Sequence, residues 1–449
     1  MAHTDARSHR LLQGLPHWSQ LGPICCGLLS YPYTMVLGLL GLFGLSVWQN
    51  VRSPRAVFSR LLNSGFLAIA VLMVISCSQA VFPGEAYLQL THFLPFFWFW
   101  ACLTVYLQQT DKPWWQLYRW TVVLVLASIP LNLVGIVEYV LKLTPTAFLL
   151  PYFPLIDWLY LGDLNLPRAF SLFDYPNTLA SYLVLILGLN LGLLFLEGRQ
   201  LPWGDRSPLC RGLIGVNVLL TLACLFCSGS RNGLLAAIAL ILVSLFGVRT
   251  KRWVRVLGLA GIALVVVTSL SFGVAGRSVS WAWLTDDPRV QVWGLAVQMI
   301  REAPLLGQGL GNYKLLYNGE IPLYTYIAHA HNFWLTMAAE AGIVVTVLFT
   351  IAIGLICYRG YRAWQSLKQQ PCHQALLTGY CLAFLGITLF SLFDITYFEA
   401  RVNIVTWLSL GVIAASPKLS QRIPSASKDT YQSQPEARPR ADVSPSPQG

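Results

Sequence analysis

Runs of about 20 apolar residues, each long enough to cross a hydrocarbon core of roughly 30 Å as a helix, recur along this 449-residue chain. The pattern predicts spans at Ile24–Trp48, Leu62–Phe82, Leu88–Leu107, Trp120–Leu141, Asn177–Leu196, Leu209–Cys227, Gly233–Val248, Val254–Val274, Asn332–Tyr358, Ala375–Phe393 and Val402–Ala415. The expected fold is therefore all-α, a polytopic transmembrane bundle of about 11–12 spans. Ser30-Tyr-Pro-Tyr33 interrupts the first run, and a division there into two short crossings gives the twelfth.

Composition and charge sharpen this picture. Hydrophobic residues make up 55% of the chain and charged residues 11%, against roughly a quarter charged in soluble proteins, which excludes a soluble multidomain protein. The net charge of +11 does not point to nucleic acid, because the cations sit in short loops between spans. Arg52, Arg55 and Arg60; Lys112 and Arg119; Arg199, Arg206 and Arg211; Arg249, Lys251, Arg252 and Arg255; and Arg359, Arg362 and Lys368 all fall on one side. Under the positive-inside rule that side is the cytoplasm. Residues 1–23 form a polar N-terminal segment without a cleavable signal, residues 24–416 the membrane domain, and residues 417–449, rich in Ser, Pro and Gln, a disordered cytoplasmic tail. A cytoplasmic N-terminus requires an even number of crossings, so eleven spans place it outside and twelve inside.

The same bookkeeping puts two long connections, 142–176 and 275–331, on the outer face. Trp158, Tyr160, Trp281, Trp283, Tyr313, Tyr317, Tyr324 and Tyr326 suit segments resting at a membrane interface. The ten cysteines are scattered through or beside apolar spans, so no disulfide framework is expected. Cys224 and Cys227 spell C-x-x-C inside an apolar helix and read as small buried hydrophobes rather than a redox pair.

Cations on the outer side break the rule and mark candidate chemistry. Arg231 stands in a tight connection between two apolar spans, where an Arg is costly unless paired and is a functional hypothesis by default; snorkelling or capping is the plain alternative. Arg168 precedes the span that begins at Asn177, and Arg289 opens an amphipathic helix that runs to Arg301. Asp286, Asp287 and Glu302 lie close enough in sequence to make Arg289 and Arg301 ordinary surface charges. If Arg168, Arg231 and Arg289 converge, their planar forks suit bidentate binding of a phosphate or diphosphate. His329 and His331 precede an apolar run, where a His can take a proton from a hydroxyl near neutral pH. No neighbouring cluster with ligand spacing supports a metal, so none is expected. Gly307-Gln-Gly-Leu-Gly311 lacks the strand and full fingerprint of a nucleotide loop and reads as a glycine-rich turn. Asp394, Glu399 and Arg401, between the last two spans, pair with the Arg cluster or cap helices.

Together these motifs resemble the O-antigen ligase and O-antigen polymerase superfamily. The resemblance rests on Arg168 followed by Pro176-Asn177, on Ser230-Arg231-Asn232-Gly233 after a span, and on Arg289-x-x-x-Trp293 followed by Pro304-x-x-Gly307-x-Gly309. His331-Asn332 then opens a segment containing Glu340-Ala-Gly342. Position 234 is Leu, where the family often has a second small residue. The similarity covers about residues 90–415. It implies a GT-C-like transferase fold in a bacterial inner membrane that takes a glycan from undecaprenyl diphosphate on the periplasmic face, with inversion and without nucleotide sugar, metal or other cofactor. A glycan or lipid supplies the acceptor hydroxyl, as in lipopolysaccharide or other cell-envelope polysaccharide assembly. By this resemblance Arg168, Arg231 and Arg289 hold the diphosphate and His331 activates or orients the acceptor. Ser230, Asn177, Trp293, His329, Asn332, Asp394 and Arg401 stand as supporting residues.

Ser391 to Arg401 also resembles a cyanobacterial branch once described as bicarbonate transporters. The retained His331-Asn332 favours a transferase, and a transporter should carry ionisable residues or broken helices at mid-membrane. The sequence thus leaves three function classes: glycan ligase or polymerase, inorganic-carbon transporter, and an accessory membrane protein without chemistry.

Overall fold

The computed structural model describes residues 18–143, 167–196, 201–202, 208–247, 252–274, 289–319, 321 and 326–423. Every regular element among them is a helix. The first part comprises α1 (Trp18–Leu28), α2 (Pro32–Arg52), α3 (Pro54–Ser64), α4 (Phe66–Ser78), α5 (Pro83–Gln89), α6 (Leu94–Gln109) and α7 (Pro113–Lys142). Then follow α8 (Pro176–Leu194), α9 (Pro208–Cys227), α10 (Arg231–Gly247), α11 (Arg252–Phe272) and α12 (Arg289–Glu302). The chain ends with a short turn, α13 (Tyr313–Leu316), then α14 (Phe333–Ala341), α15 (Ile343–Ser366), α16 (Pro371–Phe390) and α17 (Ala400–Gln421).

Nine helical segments among the described residues are long and apolar enough to cross a membrane, ten if the bent pair α3–α4 is one span. Leu257, Leu264 and Val267 on α11 and Val347, Ile351 and Leu355 on α15 are exposed apolar residues. Such a surface belongs against lipid rather than water. The polytopic bundle expected from hydropathy is thus present, with three of its spans interrupted. The first run breaks before Pro32, which has no N–H to continue the preceding helix, and Tyr31 is extended (φ −119°, ψ 136°) as a residue before proline prefers. The described part of α1 has 11 residues, a rise of about 16 Å, and does not by itself cross. The second run bends by 73° between α3 and α4 at Gly65, in the left-handed region at φ 84°. The third breaks at Gly342, so His331-Asn332 opens the nine-residue α14 and not the long helix α15.

Residues 1–17, 144–166, 275–288 and 424–449 lie outside the described residues, and with them most of the first long connection, the beginning of the second and most of the C-terminal segment. Helix α17 runs to Gln421, past the expected boundary at Ser416.

The core is organised on α8 and α16, which make the most extensive helix pair. Gly188 and Gly192 on α8 face Gly379 and Ala383 on α16. A Cβ at Gly188 would lie 2.3 Å from the Ala383 amide nitrogen, and one at Gly192 would lie 2.4 Å from Gly379 Cα. Small residues four apart on both helices let the backbones touch, the usual way to bind helices where burial in lipid offers no hydrophobic gain. Helix α7 meets α9 through a polar zipper: Asn132 Nδ2 donates to Asn217 Oδ1 at 2.8 Å and Thr221 Oγ1 at 3.0 Å, and Asn217 Nδ2 donates to the Val125 carbonyl at 2.8 Å.

The Gly307–Gly311 turn straps the α14–α15 break to the α4–α5 connection. Gln308 N and Gly309 N donate to the Ala339 and Glu340 carbonyls at 2.9 and 2.8 Å, Ile343 N donates to Pro304 O at 2.9 Å, and Val81 N donates to Gln308 O at 3.2 Å. Tyr313 N donates to the buried Glu340 carboxylate at 3.1 Å. This is the structural turn expected in place of a nucleotide loop. Gly342 adopts φ 87°, ψ 161°, a combination essentially confined to glycine, and a Cβ there would meet Leu305 O at 2.1 Å. Gly342→Ala is therefore expected to destabilise the protein by at least about 2 kcal/mol, read as a lower thermal midpoint of the detergent-solubilised protein.

Candidate active site

One end of the bundle gathers the N-terminus of α8, the α9–α10 connection, the N-termini of α12 and α14, and the turn 391–399 between α16 and α17. Since α8 and α16 are in backbone contact, Asn177 at the start of one and Asp394 just beyond the other are brought together. Asn177 Nδ2 donates to Asp394 Oδ2 at 2.5 Å.

Arg168 is held on the other side of Asn177. Its Nη2 donates to Asn177 Oδ1 at 2.8 Å and its Nε to the Ser228 carbonyl at 2.8 Å. The loop carrying it is fixed from beneath by an ion pair absent from the sequence reading. Glu138 Oε1 and Lys142 Nζ lie 2.8 Å apart, with side chains 0% and 1% exposed. Glu138 Oε2 accepts from Phe170 N at 2.9 Å and Ser171 N at 2.6 Å, and Lys142 donates to the Arg168 carbonyl at 3.0 Å. Ser171, at φ 50°, folds the backbone around that carboxylate. The signal was present as a Glu-x-x-x-Lys pair inside the end of a span, where any charge calls for a role.

Arg231 is the first residue of α10, in the connection whose Ser228 carbonyl receives Arg168. Ser230 is buried and caps that helix: its Oγ accepts from Gly233 N at 3.3 Å. Asn232 Nδ2 donates to Phe390 O at 2.7 Å, tying the same connection to the end of α16.

His331 Nδ1 lies 3.0 Å from Asp394 Oδ1, and its side chain is 33% exposed against 7% for Asp394. Its backbone is left-handed at φ 50°, an uncommon and costly state outside glycine that concentrates at functional positions. Asn332 enforces it from the next position. Its Oδ1 caps α14 by accepting from Leu335 N at 3.0 Å, its Nδ2 donates to Leu392 O at 2.9 Å, and Phe333 N donates to Ser391 O at 2.9 Å. Burial opposes ionisation of Asp394, but the His331 hydrogen bond and the charges of His331 and His329 prevail and hold it at about 2. With Nδ1–H directed at a fixed carboxylate, Nε2 keeps the lone pair needed to accept a proton.

His329 is placed differently. Its Nδ1 accepts from His331 N at 3.2 Å and its ring stacks on Phe398 at 5.8 Å. Burial, then the charges of His331 and Arg289, lower it to about 4, so the ring is neutral. Arg289, at the start of α12, thus acts electrostatically on His329, and Trp293 one turn later lies 6.5 Å from Phe393. The carboxylate that the two His lack nearby in sequence arrives from 63 residues away: His329, His331 and Asp394 offer ligand atoms within 4.8 Å of one another.

Arg401 is held by its own neighbours. It pairs with Glu399 at 2.7 Å and lies 3.7 Å over the Phe173 ring, bracing the Arg168 loop, while Glu399 caps α17. Asp394 pairs with His331 and reaches Arg168 through Asn177. All ten cysteines are free thiols. Beneath the Ser391–Thr396 turn lies an apolar cavity of about 130 Å³ lined by residues including Phe333, Phe349, Tyr397 and Trp407.

No curated protein matches the chain. Residues 216–350, a segment from within α9 to within α15 that contains Arg231, Arg289 and His331, match the protein-family model described as O-antigen ligase. That segment, less than a third of this multi-pass membrane protein, is similar to the O-antigen ligase family.

Proposed function

We propose that the chain transfers a glycan from undecaprenyl diphosphate to an acceptor hydroxyl on the periplasmic face, as a ligase or polymerase. The observation that carries the reading is the chain of contacts from Arg168 through Asn177 and Asp394 to His331. It sets a cation beside a half-open imidazole whose tautomer is fixed. In the reaction His331 Nε2 takes the acceptor proton as the hydroxyl oxygen attacks the anomeric carbon. The bond to the diphosphate oxygen breaks with its electron pair, inverting that carbon, and Arg168, Arg231 and Arg289 neutralise the departing charge. The guanidinium groups supply the positive charge, so the step needs no metal. The apolar cavity below the turn supports a lipid-linked donor by offering the first part of its tail a place beside the diphosphate.

Purified protein in nanodiscs, given undecaprenyl-diphosphate-linked glycan and candidate glycan or lipid acceptors, should extend an acceptor at a rate unaffected by chelators. Bicarbonate uptake by proteoliposomes without transfer in any acceptor series would instead favour a transporter. Arg168→Lys keeps the charge but loses the fork that reaches both Ser228 and Asn177. At about 1.5–3 kcal/mol per charge-assisted bond, its transfer rate should fall about 10- to 100-fold. For orientation, Asn318→Cys, in the outer connection, should react with an impermeant thiol reagent in intact cells. Reaction only after the membrane is opened would reverse the topology.

A further inference from the structure

We propose that His329, His331 and Asp394 form a regulatory zinc site whose occupation switches transfer off; the regulatory part rests on the role proposed for His331. The three ligand atoms already lie within 4.8 Å of one another, and His331 Nδ1 and Asp394 Oδ1 are 3.0 Å apart. Donors bound to zinc at about 2.0–2.2 Å stand roughly 3.4 Å from each other in a tetrahedron. Closing the set from within 4.8 Å to that spacing requires side-chain shifts of about 1.4 Å at most. Two imidazole nitrogens and one carboxylate favour zinc over magnesium or calcium, and three protein ligands leave a fourth position for water.

The supports of a metal site are also in place. Asn177 Nδ2 and Ile395 N hold the two oxygens of Asp394 at 2.5 and 2.8 Å, the outer-shell bonding that orients a metal-binding carboxylate. Between the two His, buried Ala330 donates its N–H to Thr336 Oγ1 at 3.1 Å, and the Asn332 cap fixes the next residue. The ligands therefore project from an anchored backbone. Arg289, whose charge acts on His329, opposes a dication, which suits a reversible occupant better than a permanent one. Binding at His331 Nδ1 uses that nitrogen's lone pair, so the ring proton moves by exchange with solvent from Nδ1 to Nε2. It also withdraws Asp394 from the ring and leaves Nε2 a poor proton acceptor, so transfer stops without any covalent change.

The test uses the metal-free full-length protein in nanodiscs. Zn²⁺ titration by calorimetry should give one site per chain, and Co²⁺ should give the visible absorption of a four-coordinate ion with nitrogen and oxygen ligands. Asn177→Ala should weaken binding about 10- to 100-fold, and His329→Ala and His329→Gln should weaken it by more. With each variant compared with its own metal-free rate, Zn²⁺ should inhibit the parent reversibly and leave the two His329 variants unaffected. Binding that persists unchanged in both His329 variants, or no binding by the parent, would overturn the site. Zinc binding without inhibition would overturn the regulation. Loss of activity with chelator and its return with Zn²⁺ would also overturn the regulation, and with it the metal-free transfer mechanism, while the site itself would stand. A parent that binds zinc yet transfers no glycan in any acceptor series would defeat the proposed function and with it the regulation, leaving the site.

Discussion

Replacing His331 with Ala is expected to lower transfer by about 10²- to 10⁴-fold, the range contributed by a positioned proton acceptor, while the protein still inserts and folds. Its side chain is one-third exposed, so folding loses little. Asp394→Asn should produce a similar rate loss by a different route. An amide can accept from His331 or donate to it, so the tautomer is no longer specified. His329→Ala should cost much less in the absence of metal, because its ring is turned against Phe398 and held neutral. A radiolabelled or fluorescent acceptor assay with the three variants separates these roles, and wild-type transfer by His331→Ala would remove the imidazole from the mechanism. Asp394 sits at about 2 against an ordinary 3.8. The stability it contributes is therefore complete above the ordinary value and lost only as pH falls through about 2, so it persists at any physiological pH.

The second large effect is expected far from the reacting atoms. Glu138→Ala leaves the Lys142 ammonium without its carboxylate in a setting where both side chains are almost wholly enclosed. Breaking a buried pair on one side costs about 3–5 kcal/mol. It also removes the acceptor for the Phe170 and Ser171 amides. The thermal midpoint should fall sharply and transfer with it. The double variant Glu138→Leu, Lys142→Met restores apolar packing and should recover much of the stability, yet its transfer should stay low because the Arg168 loop has lost its anchor. Recovery of full activity in the double variant would show that the pair stabilises the fold without positioning Arg168.

How much of this could be read in the sequence follows from what hydropathy and charge register. Apolar length revealed the bundle, but an apolar run continues unchanged through Gly65 and Gly342, whose backbone angles turn the chain. The breaks were therefore invisible there, while the Pro32 interruption was visible because proline announces itself. Arg168, Arg231 and Arg289 stood out as cations on the wrong side. Glu138 and Lys142 cancel each other's charge within one helical turn and passed unnoticed. Asp394 was noticed, but as a partner of the Arg cluster or a helix cap, since nothing local joins it to a His 63 residues earlier. The same separation hid the three-ligand cluster.

The contact of Gly188 and Gly192 with Gly379 and Ala383 has a bearing on how substrate preference can change in such a protein. Backbone touching backbone leaves no side chain to trim or enlarge between α8 and α16, so the spacing of Asn177 and Asp394 is pinned like the jaws of a fixed clamp. On the proposed function, diversification of acceptor choice is expected in the opposite wall, where α12 carries Arg289 and Trp293 and the segment before α14 carries His329. A chimera exchanging residues 289–330 with those of a relative of different acceptor preference should carry the preference with it, and an exchange of α8 should not.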